Sequence, residues 1–188
     1  MTPEMDSSAS AFSMSFGEEF VFRKTSSDSN GELLRIETRL DPGVRRPLHA
    51  HPHQEERFFV QEGVLGLAVD TREVLLEAGD EYTIHAGTPH TIWRAGDGPT
   101  VMITEHRPAL RFEDFLQAMV QLDMANRLNE AGMPAHLFDA AALLTEFREE
   151  MRPTDVPRVV QRRIFPLLAH LGTLLGREVP GYSAPLSV

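Results

Sequence analysis

With 28 acidic and 18 basic side chains among 188 residues, the chain carries a formal net charge of −10, which argues against nucleic acid or an anionic membrane as its partner. It has no cysteine, so disulfides and thiolate ligands are excluded, and a metal site would have to use His, Asp or Glu. Its length suits one domain with one sizeable core.

Residues 1–15 are Ser-rich, include Glu4 and Asp6, and have neither a basic n-region nor an apolar h-region. They are expected to be a disordered head, not a secretory signal. Phe20 and Phe22 alternate within 19–24, a first strand. After a Ser/Asp/Asn/Gly loop, Leu34, Ile36, Thr38 and Leu40 share one face of a second strand, ended by the turn Asp41-Pro42-Gly43.

The densest chemistry follows. His49, His51 and His53 alternate, and Glu55 and Glu56 come next. In an extended strand His49 and His51 lie on one face. Pro52 is expected to start the turn that carries His53 away. Glu56 opens the next strand, and two imidazoles with one carboxylate from adjacent strands suit a divalent transition metal. His90 is the candidate for a further ligand. Short strands are expected over 57–61, 65–69, 73–76, 82–84, 90–94 and 100–107, separated by Gly- and Pro-containing turns. That pattern indicates a barrel or sandwich, and a jelly-roll barrel would hide its edges and leave an interior for ligands.

Beyond Pro108 the apolar period becomes helical. Phe112, Phe115, Leu116, Met119, Leu122 and Met124 mark a first helix, stopped by Gly132 and Pro134. Leu137, Ala141, Leu144, Phe147 and Met151 mark a second, stopped by Pro153. Val160, Ile164, Leu167, Leu168, Leu171 and Leu175 line a third, which Pro166 should kink. The expected division is a head over 1–15, a barrel over 16–108, helices packed on it over 109–178, and a tail over 179–188. The longest apolar run, 164–175, is too short to span a bilayer, and a soluble, cytoplasmic protein is expected. Three apolar helix faces need partners, and C₂ pairing is the commonest oligomer, so a homodimer is expected. Arg158, Arg162 and Arg163 form a basic cluster, read either as a solvated helix face or as a contact with acidic residues.

Two stretches together resemble the paired motifs of the cupin superfamily. Gly43, His49, His51, Glu56 and Gly63 match the first motif in full; Gly79, Gly87 and His90 match the second, in which His85 replaces the usual Pro and Arg94 the usual Asn. The motif count selects Glu56 over Glu55. The resemblance implies a mainly β fold, a cupin-type jelly-roll barrel, here followed by about three α-helices. It also implies one divalent metal, Fe, Mn, Ni, Cu or Zn, on His49, His51, Glu56 and His90. Among functions it implies a dioxygenase-like enzyme acting on a small apolar or aromatic metabolite, with Glu56 shifting from ligand to general base. The alternatives are a non-catalytic small-molecule binder and a metal-dependent isomerase, cyclase or hydrolase. Phe58, Val60, Leu67 and Trp93 are the expected pocket wall, with His85 at its rim and Tyr82 offering a phenol that could donate to a bound anion.

Overall fold

The computed structural model describes residues 11–177, so residues 1–10 of the expected head and the whole of the expected tail lie outside the described residues. Eleven strands run in chain order as β1 (Ala11–Met14), β2 (Glu18–Lys24), β3 (Leu34–Leu40), β4 (His49–Ala50), β5 (Glu55–Glu62), β6 (Val64–Val69), β7 (Arg72–Glu77), β8 (Glu81–Ile84), β9 (His90–Arg94), β10 (Thr100–Arg107) and β11 (Arg152–Pro153). They form two antiparallel sheets, ordered β1-β2-β3-β10-β5-β8 and β11-β4-β9-β6-β7. The fold is mainly β, with three helices: α1 (Phe112–Met124), α2 (Leu137–Glu146) and α3 (Phe165–Leu174).

Alternation decides which side of each strand is buried. On β3, Leu34, Ile36, Thr38 and Leu40 are buried, and on β5 Glu56, Phe58 and Val60 are. Such period-2 burial is what a sheet with one covered face requires. Leu40, Phe58, Val60, Leu65, Leu67, Ile92 and Met102 pack into one cluster between the sheets. At Gly63, between β5 and β6, φ is +77° and a Cβ would lie 2.3 Å from the Pro99 carbonyl oxygen, so only glycine fits.

A second cluster joins the barrel to the helices. Met14, Phe20, Leu34 and Ile36 of the first sheet pack with Phe112, Phe115, Ala118, Leu122, Leu143 and Phe147. Gln54 fixes the junction, its buried side-chain amide donating to the carbonyls of Pro108 (3.0 Å) and Ala109 (2.8 Å).

Four expectations change. Residues 11–14 belong to the barrel, not to a disordered head. Phe12 and Met14 lie on one face of β1, and the Phe12 ring stacks on Phe20 at 5.3 Å. Helix α2 stops at Glu146 instead of reaching Met151, because the chain turns there to enter β11. That strand, unexpected in a helical region, pairs Arg152 with Ala50 and Pro153 with His49. The break expected at Pro166 takes the form of a π-helical turn, Val160–Ile164, immediately before it, which fits a residue with no N–H to give the helix. Finally, Ile164, Leu167, Leu171 and Leu175 are exposed; α3 instead buries Phe165 and Gly172, the latter close to Phe138 of α2.

The helix–barrel cluster generates a stability prediction. Phe147 is fully buried and packs edge-on to Phe115 at 5.7 Å. Phe147→Ala should lower unfolding free energy by about 3–5 kcal/mol in a urea titration. Truncation after Pro108 should aggregate, since it uncovers Met14, Phe20, Leu34 and Ile36. A soluble, cooperatively melting fragment would show that the helices are independent of the barrel.

Candidate metal centre

The register of the strands assembles the site. β4 lies against β9 with His49 directly opposite His90. His51 follows β4 on the same face, and its carbonyl accepts the Gly87 N–H at 2.7 Å. Glu56 enters from β5 in the other sheet. All four residues are buried, and one ligand-capable atom from each lies within 4.8 Å of the others. The His49 and His90 ring centroids are 4.3 Å apart, and those of His49 and His51 5.0 Å.

Each of the three imidazoles is oriented by a backbone carbonyl. Nδ1 of His49 lies 2.7 Å from the Pro47 oxygen, Nδ1 of His51 2.7 Å from the Glu150 oxygen, and Nδ1 of His90 3.0 Å from the Thr88 oxygen. A carbonyl only accepts, so each Nδ1 donates a proton and each Nε2 keeps its lone pair for a metal. The Glu150 carbonyl comes from the segment after α2, so the helical extension itself sets one of the three rings.

Electrostatics couples the carboxylate to the rings around it. Burial alone would raise the Glu56 pKa, but the His51 and His90 imidazoles overcome it and hold the carboxyl well below its usual range. Burial, reinforced by His90 and His51, pushes His49 well below the ordinary histidine value. Burial also opposes charge on His90, yet the Glu56 carboxylate prevails and raises its pKa. His90 Nε2 is 2.8 Å and His51 Nε2 3.3 Å from Glu56 Oε2. Even so, His51 Nε2, His90 Nε2 and both Glu56 oxygens have no hydrogen-bond partner of acceptable geometry among the described residues. Buried polar atoms left this way are costly, and a divalent cation among them would satisfy the two ring nitrogens and Glu56 Oε2. The donor set therefore fits a transition metal.

A cavity of about 110 Å³ reaches His49 from the helical side. Its walls include Phe16, Phe112, Phe115, Leu116, Met119 and Met133, so its surface is mostly apolar. Its polar side carries Glu18 and Arg46, which form a two-pronged ion pair with each other.

The residues expected at the pocket wall do not line this cavity. Phe58, Val60 and Leu67 are fully buried in the cluster between the sheets, and Tyr82 packs against that cluster. Trp93 points to the opposite side of β9 from His90, where it covers Gly66 and lies under the Arg45 guanidinium at 4.5 Å. His85 is exposed, its Nδ1 3.3 Å from Glu55. None of these six lines the cavity at His49. His53 is also exposed and pairs with Glu149 at 2.9 Å.

Sequence reasoning passed over several residues at the site. His106 is fully buried beside Glu56, and burial lowers its pKa to about 3. Its only signal in the sequence was parity with Met102 and Thr104 along β10. Glu18, Arg46 and Phe112 gave no signal that they border the site, because what brings them there is packing between distant segments.

Residues 36–104 match the family model described as Cupin domain. Over 72 residues the chain is 38% identical to the protein named oxidoreductase iacF of Pestalotiopsis fici, a match covering 35% of each protein. Over 77 residues it is 35% identical to quercetin 2,3-dioxygenase of Bacillus subtilis, covering 40% of this chain and 23% of that one. The chain thus spans about a third or less of the length of these relatives. Among solved structures, an RmlC-like cupin from Shewanella frigidimarina superposes with a TM-score of 0.50 at 22% identity, covering 60% of this chain and 93% of the other.

Purified protein should hold about one divalent metal per chain, measured by elemental analysis after metal-supplemented expression. His51→Ala should abolish that content and His53→Ala should leave it intact, since only His51 faces the cluster. Equal losses from both variants would show that the imidazole cluster does not hold the metal.

Proposed function

We propose that this chain, whose barrel is a cupin domain, is a metal-dependent oxidoreductase acting on a small apolar or aromatic molecule. The observation that carries this reading is the junction of an apolar cavity with His49, one of the four candidate ligands. A molecule held in that cavity would present itself to the metal position from the helical side. The names of the two relatives, an oxidoreductase and a dioxygenase, support the same class.

A divalent transition metal on His49, His51, Glu56 and His90 would supply open coordination positions and the redox capacity that oxygen chemistry uses. The rest belongs to the chain. The carbonyl-anchored imidazoles hold the ligand geometry without rearrangement. Phe112, Phe115 and Met119 bind the apolar body of the substrate and exclude water. Glu56, shifting from ligand to general base, is the group that accepts a substrate proton.

A second copy of the chain is the proposed protein partner. Val159, Ile164, Leu167, Leu171, Leu174 and Leu175 leave an exposed apolar face along α3 and the turn before it. Exposed Arg158, Arg162 and Arg163 flank it, and a chain with a net charge of −10 offers the acidic surface such a basic cluster would meet.

The enzymatic reading is tested on full-length protein loaded with Fe, Mn, Ni or Cu and offered flavonols, catechols and diketones in an oxygen electrode. Oxygen uptake is expected with at least one metal–substrate pair. Met119→Trp, which fills the cavity, should reduce that uptake about tenfold or more with metal content unchanged. No uptake with any pair would put hydrolysis, isomerisation, cyclisation or simple binding ahead of oxygenation. For the pairing, sedimentation should give a dimer that Leu167→Glu with Leu171→Glu converts to a monomer; a monomeric wild-type chain would refute it.

A further inference from the structure

The Glu56 carboxylate has two oxygens in different surroundings. Oε2 lies among the ligand atoms, 2.8 Å from His90 Nε2 and 3.3 Å from His51 Nε2. Oε1 faces a fourth imidazole, with His106 Nε2 at 3.7 Å. The two residues sit directly opposite each other in the β5–β10 ladder. His106 is fully buried, its ring held against Phe112 at 3.9 Å and edge-on to His51 at 5.0 Å.

His106 differs from the other three histidines in what orients it. Their Nδ1 atoms meet backbone carbonyls, whereas neither ring nitrogen of His106 has a hydrogen-bond partner among the described residues. Glu56 Oε1 is equally without one. A neutral imidazole offers one N–H, and a carboxylate oxygen only accepts. A separation of 3.7 Å leaves no room for a bridging water and closes to a direct bond with a small rotation of the carboxylate. His106 also falls outside the set whose ligand-capable atoms cluster together, so its geometry suits a partner to the carboxylate better than a further ligand.

We propose that His106 is the positioning residue of Glu56. Its Nε2–H holds Oε1, so that Glu56 would present Oε2 alone to a metal on His49, His51 and His90. His106 therefore carries the opposite tautomer from the ligand histidines: Nε2–H, where they carry Nδ1–H. This inference rests on the metal-centre reading above.

Two measurements on the full chain test it. In zinc-loaded wild-type protein, nitrogen NMR of the histidine rings should show three imidazoles with Nδ1–H and a metal-shifted Nε2. The fourth, His106, should show a slowly exchanging Nε2–H. In chelator competition, His106→Met, which keeps bulk and loses the donor, should weaken zinc binding about 10–100-fold. His106→Gln, whose amide nitrogen reaches the same point, should restore affinity to within a few-fold of wild type. An Nδ1–H tautomer at His106, a metal-shifted His106 nitrogen, or a Gln variant as weak as the Met variant would each overturn the proposal. Should the Met variant fail to fold, the wild-type spectrum decides alone. A wild-type chain that binds no zinc overturns the metal-centre reading together with this one, whereas tight wild-type binding with an unaffected Met variant overturns only the role of His106.

Discussion

A carboxylate enclosed in the middle of a barrel is the constraint around which this structure is arranged. Glu56 is buried almost completely. Left without compensation, such a group would take up a proton or hold the fold open. The chain answers with imidazoles from two directions: His51 and His90 near one oxygen and His106 near the other. Those imidazoles are costly in turn, because they bring lone pairs into the same dry space. His51 and His90, with His49 beside them, are resolved by carbonyl acceptors at Nδ1, which leaves a focused set of acceptor atoms with nothing to receive from. A cation would complete that arrangement.

The helical extension belongs to this arrangement. Phe112 of α1 touches the rings of both His51 and His106. The Glu150 carbonyl orients His51, and β11 pairs with the strand that carries His49. The same helices and the segments after them close one side of the apolar cavity. Geometry at the ligands and selection of what reaches them are thus set by one segment. A substitution in the core of α1 or α2 can be felt at the metal position without touching a ligand.

Much of the architecture was legible in the sequence because it depends on local periods. Alternation along 34–40 marked a strand, the turn expected at Pro52 separated His51 from His53, and the motif count separated Glu56 from Glu55. What stayed hidden depends on cross-strand register and docking. Nothing in the local pattern states that His106 stands opposite Glu56. The pocket wall was placed on Phe58, Val60, Leu67 and Trp93 by proximity in sequence to the motif, yet the first three fill the space between the sheets and Trp93 faces away. The cavity instead forms where α1, the segment after it and α2 close over the barrel edge, and helical periodicity gives their buried faces but not what those faces meet. The same limit explains α3, whose apolar period is clear while most of its large side chains remain outside the core.

The hydrogen bond between His51 and the Glu150 carbonyl spans 99 positions of sequence. During synthesis on the ribosome, every proposed ligand is made by residue 90, but the acceptor that fixes the His51 tautomer and the strand that pairs with His49 emerge some sixty residues later. Contacts of this sequence separation form late, after the loop between them has closed. A nascent barrel therefore has its imidazoles before it has them aimed. The finished arrangement of the candidate ligands becomes available only as the extension docks, so that metal binding there would be a closing step of folding and would report that the chain has reached residue 153 intact.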